Sequence, residues 1–208
     1  MGGEFDAWVR AHQEVLRLSE AQVEQLRAYV VLLEQWSPKL NLTGFDLSRD
    51  LSRALSRLIL EPIVASRSLP GSVYTLLDVG AGGGSPAVPL SIALPMLTTT
   101  MVEANQKKSV FLREVIRSTG LAGASVSTGR IEHLKANRGS FDAVTVRAVR
   151  LDAVLSGAIA QLLRPGGTLM QFIAAGDAGR KLKDFSPASI VHLGAGSDAG
   201  IAIYSRLL

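Results

Sequence analysis

The chain reads as an α/β protein, a mostly parallel sheet with helices on both faces and a helical segment in front of it. Three observations carry this reading. From residue 74 onward, short apolar runs alternate with helical patterns, and strands alternating with helices imply a parallel sheet joined by helical crossovers. Before residue 70 the apolar spacing is helical only. Between the two lies Leu76-Leu77-Asp78-Val79-Gly80-Ala81-Gly82-Gly83-Gly84-Ser85-Pro86, an apolar stretch that ends in an acid and breaks into glycines before a new helix. Such glycines permit positive φ and let the backbone come close to a ligand.

In chain order, Ser19-Glu20-Ala21-Gln22 has the spacing of a capping box. Val23, Leu26, Val30 and Leu33 then recur at helical spacing. Pro38 is expected to end that helix. A second helical stretch follows Phe45: Leu47, Leu51 and Leu55 repeat every four residues and give way to Leu58, Ile59 and Ile63. Pro70-Gly71 is a strong break. Residues 1–70 are therefore expected to form a helical cap, and residues 71–208 the sheet domain. Strands are expected at 74–79, 98–102, 141–146 and 168–173, with a weaker one at 124–128. Helices are expected near 86–94, 106–118 and 152–163. Arg164-Pro165-Gly166-Gly167 reads as a turn feeding a strand, and 190–193 with 202–204 as a terminal strand pair.

Composition bounds the function. The chain has 208 residues, 47% hydrophobic and 19% charged, which suits a globular protein with one good-sized core. No apolar run approaches the roughly 18–20 residues needed to span a bilayer, and Met1-Gly2-Gly3-Glu4-Phe5-Asp6 lacks the basic start of a signal peptide. There is no cysteine, which excludes disulfides, thiolate metal sites and a cysteine nucleophile. His12, His133 and His192 show no metal spacing, so no metal is expected, and a cytoplasmic location is. Net charge is +4, divided as −1 over residues 1–70 and +5 over residues 71–208. That excess permits a nucleic-acid partner without establishing one.

The glycine loop departs from the dinucleotide fingerprint at its third glycine, where Ser85 stands, and the chain has no P-loop pattern. Two acids turn the reading toward S-adenosylmethionine. Asp78 stands two residues before the first glycine, where it can organise the loop and receive an ammonium but would repel a pyrophosphate. Glu103, 25 residues later at the end of the next strand, can accept both hydrogen bonds of a ribose diol. The alternatives are a turn cap for Asp78 and a surface acid for Glu103. Gly129-Arg130-Ile131-Glu132 follows the third strand and can read an adenine edge, or be an ordinary helix N-terminus.

With these residues in place, the chain resembles the RsmG (GidB) family of 16S rRNA guanine-N7 methyltransferases. The resemblance rests on Lys39-Leu40-Asn41-Leu42-Thr43, the loop from Leu77 to Pro86, the stretch Val102-Glu103-Ala104-Asn105-Gln106-Lys107-Lys108-Ser109-Val110-Phe111-Leu112, Gly129-Arg130-Ile131-Glu132, and Phe141-Asp142-Ala143-Val144-Thr145-Val146-Arg147-Ala148. It implies a class I methyltransferase fold, that is, a Rossmann-like, mostly parallel seven-stranded sheet with an N-terminal helical cap. It also implies S-adenosylmethionine as cofactor and 16S rRNA or the small ribosomal subunit as partner. Carried over by position, the implied cofactor contacts are Gly80, Ser85, Glu103, Ile131, Glu132 and Arg147, to which the loop reading adds Asp78, Gly82 and Arg130. Three family motifs differ here. Phe-Pro-Gly reads Ser85-Pro86-Ala87, His-x-x-Asp-Ser-Leu reads Leu58-Ile59-Leu60-Glu61-Pro62-Ile63, and the Lys-Gly after the fifth strand is missing. The alternatives to an rRNA enzyme are a divergent methyltransferase acting on another RNA or a small molecule, and a non-catalytic cofactor- or RNA-binding module.

Guanine N7 carries a lone pair and no proton, so its methylation needs alignment and no general base. Arg147 occupies the place where other methyltransferases grip an exocyclic amine, and is the catalytic candidate. Phosphate, cofactor-loop or carboxylate contacts are favoured for it, against a structural ion pair with an acid such as Asp78 or Asp142. Lys107 and Lys108 open a helix where positive charge opposes the dipole, which hints at an anionic partner. Lys39 and Asn41, in the connection between cap helices, are placed near substrate by the resemblance. Arg49, Arg53 and Arg57 line one helix side as a solvated stripe or a phosphate track.

Overall fold

β1 (Thr75–Val79) is buried along nearly its whole length, as an apolar strand covered on both faces must be. In the computed structural model, which describes residues 2–174, 176–194 and 199–208, it pairs in parallel with β2 (Thr98–Glu103) on one side and β4 (Phe141–Arg147) on the other. β3 (Ala124–Thr128) extends the parallel set beyond β2, and β5 (Leu163–Ile173) beyond β4. β7 (Gly200–Ser205) runs antiparallel to β5, and β6 (Ser189–His192) antiparallel to β7 at the edge. The seven strands lie in the order β3-β2-β1-β4-β5-β7-β6. The expected mostly parallel, seven-stranded sheet is thus present, and its strand order changes direction at β1. In open sheets of this kind, ligands bind outside the carboxyl ends of the strands at that switch point.

Helices cover both faces. On one lie α1 (Gly2–Leu16), α2 (Glu20–Leu40), α3 (Leu51–Leu55), α4 (Glu61–Ser66), α5 (Ala87–Ala93) and α6 (Gln106–Thr119). Leu26, Tyr29 and Leu33 of α2 share a core with Val88 of α5, Met101 of β2 and Phe111 of α6. The helical N-terminal region therefore packs directly over the glycine loop and the first two strands. On the opposite face, Leu155 and Ile159 of α7 (Ala153–Leu162) pack with Leu77, Val102 and Val144.

The capping box forms as read: Ser19 accepts from the Gln22 amide, and the Gln22 side chain accepts from the Ser19 amide. Pro38, however, does not end the helix, which continues to Leu40. A proline one turn from the end removes a single helical hydrogen bond, and the Asn41 amide still reaches the Ser37 carbonyl. Asn41 itself, at φ 48°, closes the helix in the left-handed region. The segment 164–167 also differs from expectation. It lies inside β5 as a bulge, with Phe141 opposite Leu163 but Ala143 already opposite Thr168. Gly166 takes φ +74° there, and the Arg206 backbone closes over it, donating to the Gly167 carbonyl and accepting from the Gly166 amide. α1, with Phe5, Trp8 and Leu16 buried, has no counterpart among the expected elements.

At the amino ends of the strands, Asp142 fastens β1 to β4. Its Oδ2 accepts from the amides of Tyr74 and Thr75 and the Thr75 hydroxyl, each at 2.9 Å. Its Oδ1 pairs with Arg164 at 2.7 Å. Asp142→Ala is expected to lower stability by about 2–3 kcal/mol, the scale for removing hydrogen bonds to a charged acceptor, while leaving ligand binding at the far sheet edge intact. Urea denaturation checks this: the midpoint should fall with the slope unchanged.

Candidate active site

A cleft of about 400 Å³ opens at the carboxyl ends of β1, β2 and β4. Its walls include Gly80 from the glycine loop, Ala104 after β2, Arg130, Ile131 and Glu132 after β3, and Val149 and Asp152 after β4. The sequence-derived candidates Gly80, Arg130, Ile131 and Glu132 therefore meet in one place. Arg130 precedes a single turn of 3₁₀ helix, Ile131–His133, in which Ile131 is buried while Arg130 and Glu132 stay exposed. Gly80 sits at φ +72°, and a Cβ there would lie 2.5 Å from Val149 Cγ2. A glycine is required at this wall for both reasons.

The loop is shaped by groups outside it. Glu103 Oε2 accepts from the Gly82 amide at 2.8 Å, and Oε1 from the Asn105 amide at 2.7 Å. Glu103 was expected to meet a ribose diol. It is 8% exposed and already holds one amide on each oxygen, which leaves each oxygen a further lone pair. From the cap side, the Tyr29 hydroxyl donates to the Gly83 carbonyl at 2.8 Å. A Cβ on Gly83 would strike the Leu42 carbonyl at 2.5 Å. Gly82 lies at φ +53°.

Asp78 is the most perturbed acid of the site. It is 1% exposed, its Oδ1 accepts from the Thr145 hydroxyl at 2.6 Å, and its Oδ2 is buried without a partner among the described residues. Burial pushes its carboxyl up to about 7, against the Thr145 hydrogen bond and the Arg147 charge. An unpaired buried carboxylate oxygen beside a ligand cleft is a place for a cationic group.

Arg147 and Ser85 lie behind the loop, toward the cap. One Arg147 nitrogen donates to the Arg57 carbonyl at 2.7 Å and to Ser85 Oγ at 3.3 Å, and the other pairs with Glu61 at 2.9 Å. Its guanidinium stacks over the Phe172 ring, 5.0 Å from the centroid. Glu61 also pairs with Arg57 at 2.7 Å. The side chains of Arg147 and Glu61 are 14% and 4% exposed, and burial draws Arg147 below the ordinary arginine range. The acid that holds Arg147 is thus Glu61, in a structural ion pair for which Asp78 and Asp142 were only examples of a partner. Glu61 was missed. Its signal was present as a lone acid in the otherwise apolar run 58–65, a placement that demands a buried partner. Tyr29 and Thr145 were missed as well, and nothing in their sequence context marks them.

The basic candidates gather at the same sheet edge. Asn105 caps α6 through the amides of Lys107 and Lys108. Lys108 Nζ donates to the Asn41 carbonyl at 3.1 Å, which joins the start of α6 to the end of α2. Lys39, Asn41 and Lys107 are exposed. Of the arginine stripe, Arg57 points into the Glu61 cluster, while Arg49 and Arg53 are exposed. Trp36 packs on Phe111, ring centroids 5.8 Å apart.

The profile of the rRNA small subunit methyltransferase G (GidB) family matches residues 22–180. Ribosomal RNA small subunit methyltransferase G of Stenotrophomonas maltophilia is 35% identical over 183 residues, which cover 83% of this chain and 82% of the relative. The enzyme of the same name from Chloroflexus aggregans is 39% identical over 156 residues, covering 74% and 64%. Among solved structures, the apo form of the S-adenosylmethionine-dependent methyltransferase SibL aligns over 99% of this chain and 74% of its own, with a TM-score of 0.61 at 16% identity. An S-adenosylmethionine-dependent methyltransferase from Aquifex aeolicus aligns over 79% and 100%, with a TM-score of 0.56 at 11% identity. At these identities the structures speak for the fold, a class I methyltransferase sheet. The sequence match covers the glycine loop, the Asp78 and Glu103 strand ends and Arg147, and on it the chain belongs to the rRNA small subunit methyltransferase G family.

Proposed function

We propose that this protein transfers the methyl group of S-adenosylmethionine to guanine N7 in small-subunit rRNA. The observation that carries the reading is Asp78, whose buried, unpartnered oxygen stands behind the cleft at the switch point of the sheet. The residues fit the cofactor. Asp78 offers a carboxylate to an ammonium, the second lone pairs of Glu103 are free for a diol, and Gly80 keeps the wall thin. Gly82 shapes the same loop. Ile131 gives an apolar surface for a base, flanked by Arg130 and Glu132. When bound, the cofactor supplies an activated methyl on a sulfonium.

The chain's part is then positioning. N7 needs no proton removed, so the residues must align the base and exclude water. Arg147, the catalytic candidate by sequence, takes a positioning role in this account, because its donors go to Ser85, the Arg57 carbonyl and Glu61. Lys39, Asn41, Lys107 and Lys108 form the rim that meets RNA phosphate, and residues 1–70 act as the cap of the cofactor-binding region 71–208. No helix among the described residues is long and apolar enough to cross a membrane. An rRNA substrate places the work in the cytoplasm.

The direct test is transfer of tritiated methyl to small-subunit RNA from a strain lacking the modification, followed by nucleoside mapping. Label in 7-methylguanosine is expected. Label in a metabolite extract and none in RNA would move the acceptor to a small molecule.

The Asp78 carboxyl gives a second prediction. Its folded value of about 7 lies above the unfolded one. The carboxylate that binds ammonium is therefore lost as pH falls through about 7, and cofactor affinity should fall with it. Stability of the ligand-free protein should run the other way: the contribution is present at low pH and lost as pH rises through the folded value. Asp78→Asn should weaken cofactor binding and flatten both profiles, read by calorimetry and thermal melts across pH.

A further inference from the structure

Between α3 and α4 the chain makes one π turn, Ser56–Leu60, in which the Glu61 amide donates to the Ser56 carbonyl. Next in the chain comes Pro62, which has no amide hydrogen. In an α-helix, the Leu58 carbonyl would accept from residue 62. In the π register, the Arg57 carbonyl would do so. The π turn sends the Glu61 amide, the α-helical donor of the Arg57 carbonyl, to Ser56, and Pro62 withholds the α-helical donor of the Leu58 carbonyl; this happens where α4 enters the core, and buried carbonyls need partners. Both find them on the sheet domain: Ser85 Oγ donates to the Leu58 carbonyl at 2.8 Å, and Arg147 donates to the Arg57 carbonyl at 2.7 Å. Ser85 closes the glycine loop, and Arg147 ends β4.

We infer that Pro62 is a positioning residue for the cofactor loop: by withholding its amide it leaves the Leu58 carbonyl of the cap helix as the acceptor that holds Ser85, next to the Arg57 carbonyl that the π turn offers to Arg147. The inference rests on the cofactor reading above and adds a part of the cap to it. π turns recur at functional sites because they present backbone groups that a regular helix consumes. Here the turn presents the Arg57 carbonyl, and Pro62 adds the Leu58 carbonyl. The Trp8 indole, donating to the Ser56 hydroxyl at 3.3 Å, braces the first residue of the turn. Glu61 supplies the charge that keeps Arg147 aimed at the turn.

Pro62→Ala returns an amide to the helix, which can then satisfy the Leu58 carbonyl from within. Ser85 loses its acceptor and the loop loses a tie. The test is a double-mutant cycle with Pro62→Ala, Ser85→Ala and both together, read by calorimetric affinity for S-adenosylmethionine. Each single change should weaken binding about tenfold, the scale of one hydrogen bond. The double variant should be no worse than either single, because both remove the same tie. The melting temperature of Pro62→Ala should hold or rise, since alanine suits a helix interior better than proline. Unchanged affinity in Pro62→Ala, or losses that multiply to about a hundredfold, overturns the inference. Hydrogen exchange of the Gly84 amide in the ligand-free protein gives a second readout. It should quicken in all three variants alike, and equal rates in wild type and Pro62→Ala would also overturn the inference. If wild type bound no S-adenosylmethionine the cofactor reading would fall, and the exchange arm would still decide the role of Pro62.

Discussion

The stretch from Gly80 to Gly84 carries one methyl group among five residues, so its shape has to be imposed by its neighbours. Four contacts do this. Glu103 holds the Gly82 amide, Tyr29 holds the Gly83 carbonyl, the Leu42 backbone closes over Gly83, and the Leu58 carbonyl holds Ser85 at the exit. Three of the four come from the N-terminal region, residues 1–70. The loop that forms the cleft wall is thus built by the sheet and the cap together, and neither half specifies it alone. This explains why the two share one core, with Tyr29 of α2 buried among Val88 and Phe111.

Charge is concentrated where the loop meets the cap. Asp78, Glu61 and Arg147 are largely shut off from water, Arg57 is half-buried beside them, and their partners decide their roles. Glu61 bridges two arginines and is structural. Asp78 has a hydroxyl on one oxygen and no partner on the other among the described residues, and burial raises its carboxyl to about 7. Holding an acid in this state destabilises the ligand-free fold, a pattern expected of a group kept for binding rather than for packing.

The sheet was legible because a strand buried on both faces must be apolar throughout, and the runs at 74–79 and 141–146 are. The crossing helices were legible from spacing. Pro38 misled because one missing amide near a helix end is offset by the packing of Leu26, Val30 and Leu33. The 164–167 segment has the composition of a turn, and only pairing with Arg206, 40 residues downstream, makes it a bulge. In the site, residues that act through a strand end or a loop were visible, since Asp78, Gly80, Glu103 and the 130–132 turn stand at fixed offsets from apolar runs. Partners brought by the fold were not: Arg147 meets Glu61 across 86 residues.

The account stands on the claim that the cleft beside Asp78 and Gly80 receives S-adenosylmethionine. Calorimetric titration of the purified protein with S-adenosylmethionine, and separately with NADH, tests it most directly. Saturable one-site binding of S-adenosylmethionine and no heat with NADH is the expected result. Tight NADH binding with none for S-adenosylmethionine would contradict the account.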